Sequence, residues 1–343
     1  MTSIDDVARE VGMSTATVSR ALRGLPRVSQ DTRDRVIEAA RRLGYVPSPH
    51  AASLASGRTG TVAIVVPFVT RWFFAMVVDG AEQVLRAQGF DVLLYNLAGD
   101  VDTRHRVLQT HVLTKRVDAI LVLGLSPTAA EVDWLTGQAC PVVILGAEVP
   151  QWPSVRIDDG DVSRTAMGHL IGLGHRRIAY VGSLVDEGLD FATPRARRRA
   201  YREIVAEHGL DDDIALETDG HFTLDGGCEA GHALLDLPER PTAVFCASDE
   251  MAIGVLRASR ERGVRVPEDW SVIGIDDHEM APYFDLTTMR QPVSEQGAVA
   301  GRHILRCLGV ATIEEPEHVV LRTELVVRGT TAEAARPPQP TRG

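Results

Sequence analysis

From residue 61 onward, short apolar runs alternate with stretches of helical periodicity, and this alternation restricts the fold more than any other feature. The runs are Thr61–Val66, Val92–Tyr95, Ala119–Val122, Val142–Leu145, Ile178–Val181, Ala243–Cys246 and Val272–Ile275. Strands that are apolar at every position, rather than at every second one, belong to parallel sheets covered on both faces. Between them, Ala75–Gln88 reads as an amphipathic helix capped by Gly89. These runs and the helices between them, spread over about 270 residues, exceed one sheet, so the sequence predicts two α/β subdomains.

The first sixty residues have a different texture. Ser3 is placed to cap a helix, with Asp6 as its capping-box partner and Ile4, Val7, Ala8 and Val11 as an apolar stripe ended by Gly12. Ser14 caps a second short helix whose Val18, Ala21 and Leu22 face inward. Ser29 caps a third, with Val36, Ile37, Ala40 and Leu43 inside and Gly44 closing it. Three short helices around a small core make a helix-turn-helix domain. The run Ser14–Arg20 has the small and polar leading face that a helix needs to enter a major groove. Val46-Pro47-Ser48-Pro49 then breaks the pattern, and residues 50–57 could add two helical turns too short to stand alone in water.

Charge follows the same division. The whole chain carries −11, but residues 1–60 hold nine Arg against six acids, or +3, which leaves −14 for the remainder. A mildly basic head on an acidic body suits a head that touches phosphate, although so small an excess also fits an ordinary solvated surface. The four cysteines, Cys140, Cys228, Cys246 and Cys307, form no CxxC pair. They read as reduced, buried thiols, without a zinc site or disulfide framework. His169, His175 and the Asp276-Asp277-His278 run lack the spacing of a closed metal site. No Walker loop, nucleophile elbow or dinucleotide fingerprint is present. The polar N-terminus and the lack of a long apolar run point to a cytoplasmic protein without a signal peptide or membrane helix.

Several motifs in order give the chain a resemblance to LacI/GalR-type transcriptional regulators. Ile4-Asp5-Asp6-Val7-Ala8, Ser14 through Arg20, Val28-Ser29, Thr32-Arg33 and Leu43-Gly44-Tyr45 stand at that family's spacing. So do Gly172 through Ala179, Ser248 through Gly254, Ser271 to Asp277 and Leu286 through Pro292. The resemblance implies an all-α helix-turn-helix head (1–46), a hinge helix (47–59) and a periplasmic-binding-protein-like α/β core of type I. The core's two parallel-sheet subdomains would take residues 60–157 plus 291–320, and 158–290 plus 321–331, ahead of a disordered tail (332–343). It also implies a homodimer, or a tetramer, that binds palindromic double-stranded operator DNA. A polar small-molecule effector such as a sugar, sugar phosphate or nucleoside-like compound would control it, most simply by relieving repression, with no cofactor and no catalytic residue. The alternative is a solute-binding or sugar-processing protein that shares the core.

On that plan Thr15, Ala16 and Arg20 fall where the family reads bases, and Thr17, with Ser14, where it caps the helix or bonds phosphate. Leu54 matches the hinge leucine that wedges into the minor groove. Phe73, Phe74, Thr193, Arg197, Phe222, Ser248, Asp276 and Gln291 match effector positions. Read alone, Arg197 is a surface member of the basic run 195–199, the three phenylalanines are core residues, and Asp249 caps a helix over Glu250–Arg260. The chain also departs from the family. Ser48 and Ala52 replace the usual Asn and Arg, Gly146 replaces an Asp, and Arg71-Trp72 replaces Asn-Pro. The last change suggests an anionic ligand, or an Arg71 that points to solvent.

Overall fold

The computed structural model of the chain describes residues 2–22, 24, 26–45, 58–110, 112–113, 115–138, 140–184, 189–312 and 314–334. The chain divides into two compact units, Met1–Gly60 and Thr61–Gly343.

The first unit contains α1 (Ile4–Val11), α2 (Thr15–Leu22) and α3 (Gln30–Arg42). Each helix begins at the expected serine. The Ser3 hydroxyl accepts from the Asp6 amide at 3.3 Å, and the Asp6 carboxylate returns the bond to the Ser3 amide at 2.9 Å. Ser14 accepts from the Thr17 amide and Ser29 from the Thr32 amide. Such caps contribute about 1 kcal/mol each, which matters for eight-residue helices that propensity alone would not hold. Val7, Ala8, Val18, Ala21, Val36, Ala39 and Ala40 close the core, while Ile37, Leu22 and Leu43 are only half-buried.

In the second unit the chain runs through β1 (Thr61–Val66), α4 (Trp72–Ala87), β2 (Asp91–Asn96), α5 (Val101–Leu108), β3 (Ala119–Leu123), α6 (Ala129–Thr136), β4 (Val142–Leu145) and β5 (Ser154–Ile157). It continues through α7 (Asp159–Gly172), β6 (Ile178–Gly182), α8 (Ala192–His208), β7 (Glu217–Asp219), α9 (Leu224–Leu235), β8 (Ala243–Cys246) and α10 (Asp249–Glu261). Last come β9 (Ser271–Asp276), β10 (Thr287–Arg290), α11 (Val293–Cys307), β11 (His318–Leu321) and β12 (Glu324–Val326).

The strands form two six-stranded sheets, ordered β11-β5-β4-β3-β1-β2 and β12-β10-β9-β8-β6-β7, parallel throughout except for β12. We call them the first and second lobes. In β1, Val62, Ile64 and Val66 pack into one hydrophobic cluster and Ala63 and Val65 into the other, so both faces are covered. The order in which strands are added reverses once in each sheet, between β1 and β3 and between β6 and β8. Outside the carboxyl ends of the strands at such a reversal lies the natural crevice of an open α/β sheet.

Several boundaries differ from the sequence reading. The helix expected from Ala75 starts at Trp72, because the aromatic first turn packs on the first-lobe core. Strands β5, β7, β10, β11 and β12 are short and carry polar residues, so they gave no apolar run. Residues 332–334 are tied down rather than loose. Ala332 donates to Ser271 Oγ at 3.0 Å, its carbonyl meets the buried His175 Nε2 at 3.1 Å, and Ala334 donates to the Leu173 carbonyl. His175 is thus an anchor for this segment. Among the described residues, no helix is long and apolar enough to cross a membrane.

Candidate functional site

The first unit presents one end of α2. Ser14, Thr15 and Ala16 are exposed there, and Thr17 and Arg20 are half-buried. The Ser14 hydroxyl lies 2.9 Å from that of Thr17. Arg20 donates from Nη2 to the Pro26 carbonyl at 2.8 Å, which folds its side chain back over the turn after α2. Leu54, the expected wedge, and the rest of 46–57 lie outside the described residues.

The second unit contains a cavity of about 240 Å³ at the strand ends of the two sheets. All eight residues expected there, Phe73, Phe74, Thr193, Arg197, Phe222, Ser248, Asp276 and Gln291, line it. Phe73 and Phe74 enter from the first turn of α4 and meet edge to face, with centroids 5.3 Å apart. Room for the Phe74 ring comes from Gly124, where a Cβ would lie 2.9 Å from the ring. The neighbouring Gly146, at φ +87°, approaches Gly124 so closely that a Cβ would stand 3.3 Å from its Cα. A side chain in the Asp position of the family would therefore sit in a strained backbone conformation here and crowd Gly124.

From the second lobe comes a buried polar network. Arg197 is 4% exposed, which removes it from the surface run 195–199. Its Nε donates to Asp159 Oδ1 at 2.8 Å and its Nη1 to the Ala247 carbonyl. Asp159 also accepts from Thr193 at 3.2 Å. Gln296 donates to Gln291, which in turn donates to Asp276 at 2.5 Å. Burial pushes the Asp276 carboxyl up to about 7, against the opposing pull of the Arg197 charge. Burial likewise raises Glu250, with Arg71 opposing it. A fork of donors and a carboxylate held in a dry wall are the groups that fix hydroxyl-bearing ligands, while the aromatic rings offer flat apolar faces.

Two assignments change. Ser248 is itself the cap of α10, accepting from the Met251 amide. Asp249 is buried and instead binds the His278 amide at 2.8 Å and the Thr288 hydroxyl at 2.6 Å, fixing the loop beyond Asp276. Burial raises its carboxyl well above the ordinary range.

Arg71 points neither to solvent nor freely into the cavity. It donates from Nη1 to the Phe222 carbonyl at 2.9 Å and from Nη2 to the His221 carbonyl at 3.3 Å, joining the lobes across the cleft. Its guanidinium also lies 5.5 Å from the Phe68 ring centroid. His221 and Phe222 both have φ near +50°, a conformation that costs a non-glycine residue on the order of 1 kcal/mol or more. Beside this clasp, Trp72 packs on His278 and Phe68 stacks on Phe191. A second bridge is Arg104, buried in an ion pair with Glu131 and bonded to the carbonyls of Leu189 and Ser126. Asp159, Glu250, Gln296, Phe68 and Phe191 were missed by sequence reasoning. Only Asp159 left a signal, an acid in a helix's first turn that Asp158 already caps.

A capped three-helix head and a two-lobed core with a polar cleft define a class, the ligand-responsive DNA-binding transcriptional regulators. Residues 3–48 match the bacterial regulatory proteins of the lacI family, and residues 167–331 match the periplasmic binding protein-like domain. The chain is 34% identical over 316 residues to catabolite control protein A of Priestia megaterium, covering 91% of this chain and 94% of that one. It is 33% identical to the HTH-type transcriptional repressor CytR of Escherichia coli (strain K12), covering 96% of each. Among solved structures, a lac repressor dimer bound to operator and the anti-inducer ONPF superposes with a TM-score of 0.82 at 26% identity, over 96% of this chain and 99% of that one. A complex of the transcriptional regulator CelR with cellobiose gives 0.68 at 33% identity, over 96% and 100%. The chain belongs to the lacI family of bacterial regulatory proteins.

Proposed function

We propose that the protein is a cytoplasmic repressor that binds a palindromic operator as a dimer and is controlled by a sugar-like effector held in the cleft. The observation that carries this reading is the convergence of Arg197, Asp276, Thr193, Ser248 and Gln291 with Phe73, Phe74 and Phe222 on one cavity. Hydroxyls would pair with the polar wall and C–H faces would stack on the rings. Support also comes from the cellobiose held by CelR and the operator held by the lac repressor dimer. Because Arg71 directs two of its donors to backbone carbonyls rather than freely into the cavity, a neutral sugar suits the cleft better than a phosphorylated one. We assign the cleft no catalytic step.

In the head, Thr15, Ala16 and Arg20 would read bases and Thr17 would hold phosphate, positioning without specifying. Leu54 would supply the minor-groove wedge. The test is a thermal-shift panel of neutral sugars, sugar phosphates and nucleosides, followed by operator release with the best binder. A neutral sugar should raise the melting midpoint with concentration and release operator, while Arg197→Lys, which keeps the charge but loses the fork, should respond weakly. Stabilisation by phosphorylated compounds alone would overturn the neutral-sugar reading. A sugar that binds without altering operator affinity would overturn the regulatory one.

A further inference from the structure

On the outer side of the second lobe, helices α9 and α10 touch backbone to backbone. A Cβ at Gly227 would lie 2.3 Å from the Met251 carbonyl oxygen, and one at Gly254 2.2 Å from that of Leu224. The same crossing brings three potential ligand groups together. Cys228 and His232 stand four residues apart on α9, hence on one face, and Glu261 is the last residue of α10. The Glu261 Oε2 atom lies 2.9 Å from His232 Nε2 and 4.0 Å from Cys228 Sγ, and the three ligand atoms all fall within 4.8 Å of one another.

We propose that Cys228, His232 and Glu261 form a binding site for a thiophilic divalent cation, in the first place Zn²⁺. Tetrahedral zinc with bonds of about 2.0–2.3 Å spaces its ligand atoms roughly 3.3–3.6 Å apart. The 2.9 and 4.0 Å separations of Glu261 from His232 and Cys228 bracket that range, so adjustments of roughly half an ångström at the ends of flexible side chains bring these two into it. Thiolate and imidazole together select zinc over magnesium or calcium. Three protein ligands leave a fourth position for water, the arrangement of an open site.

The surroundings favour a cation. Asp225 and Glu229 stand three residues before and one residue after Cys228 on α9. Beside the group, Arg257 is paired with Glu261 and Arg262 with Asp236. Both arginines hold atoms turned away from the ligand cluster. Arg257 donates to Glu261 Oε1 at 2.9 Å and Arg262 to His232 Nδ1 at 3.2 Å, leaving Oε2 and Nε2 facing the thiol. Binding sends the thiol proton to solvent and moves the imidazole proton from Nε2 to Nδ1. Arg262 then turns wholly to Asp236, which it already grips at 2.9 Å.

Paired-cysteine spacing cannot reveal such a site, because its third ligand lies on another helix 29 residues beyond His232. The test uses the full, untagged chain, stripped with chelator and titrated with Co²⁺ and then Zn²⁺. The wild type should take up one Co²⁺ with a thiolate-to-cobalt charge-transfer band that Zn²⁺ abolishes. Cys228→Ser, nearly isosteric and checked by circular dichroism for an unchanged fold, should lose the band. His232→Ala, at a half-exposed position, should weaken Zn²⁺ binding by more than the roughly 10–100-fold that loss of an outer-shell partner costs. The absence of a charge-transfer band in the wild type, its persistence in Cys228→Ser, or equal Zn²⁺ affinity in His232→Ala would each overturn the site.

Discussion

Arg71 Nη1 donates to the backbone carbonyl of Phe222 at 2.9 Å, across a sequence separation of 151 residues. The residue just before α4 in the first lobe thereby holds the turn that places the Phe222 ring in the second-lobe wall of the cavity. The acceptors are main-chain atoms, so the clasp depends on the shape of the 221–222 turn and not on its side chains.

Arg71→Ala should therefore open the cleft without unfolding either lobe. Charge-assisted hydrogen bonds contribute about 1.5–3 kcal/mol when buried, and half-exposure at Arg71 brings the pair toward the lower end. Amide exchange at residues 220–223 and 71–74 should accelerate and effector affinity should fall. Unchanged exchange in both segments would mean that the lobes are held by other contacts.

Arg104 and Glu131 form an ion pair whose side chains are 5% and 2% exposed. Removing only the cation leaves a buried carboxylate and orphans two carbonyls, so Arg104→Ala should cost roughly 3–5 kcal/mol in denaturant unfolding. The double change Arg104→Met with Glu131→Leu should recover much of the loss, since packed apolar groups substitute well for buried pairs. A double variant no better than the single one would place the loss in the carbonyl bonds alone.

The pH dependence follows from Asp276. Its folded carboxyl titrates near 7, above the ordinary aspartate value of 3.8. The folded protein thus holds a proton that the unfolded chain releases earlier. The corresponding stability is complete below about 4 and is lost as pH rises through about 7. Asp276→Asn should flatten the decline in melting midpoint over that window. A variant with the wild-type slope would assign the decline to another buried acid, with Asp249 the first candidate.

In the head, Arg20 must release the Pro26 carbonyl to reach a base. Arg20→Ala should reduce discrimination at one base pair per half-site by about 1–3 kcal/mol while leaving non-specific affinity nearly unchanged. Binding ratios over a set of operator variants measure this directly. Unchanged ratios would confine Arg20 to the turn it already braces.

Local chemistry made much of this protein legible. Ser3, Ser14 and Ser29 cap the helices they were expected to cap, because a hydroxyl and an amide three residues apart meet whatever surrounds them. The runs that became β1, β3, β4, β6, β8 and β9 were readable because strands covered on both faces must be apolar throughout. Strands β7 and β12, at sheet edges, and the polar β10 carry no such obligation and were invisible. The cleft residues Arg197 and Asp276 were found only through family resemblance, since a lone arginine in a basic run says nothing about burial.

The sequence by itself determined the three capped helices and the two-sheet α/β core, and its resemblance to a family picked out the eight residues that line one cavity. Tertiary structure decided what those residues touch. That Arg71 meets Phe222, that Asp159 receives Arg197, and that Glu261 joins Cys228 and His232 all depend on crossovers bringing distant segments together. The physical reason is one of range. Caps and periodicities are settled within a few residues, whereas a contact across 151 residues exists only once both sheets have packed and fixed where their strands end.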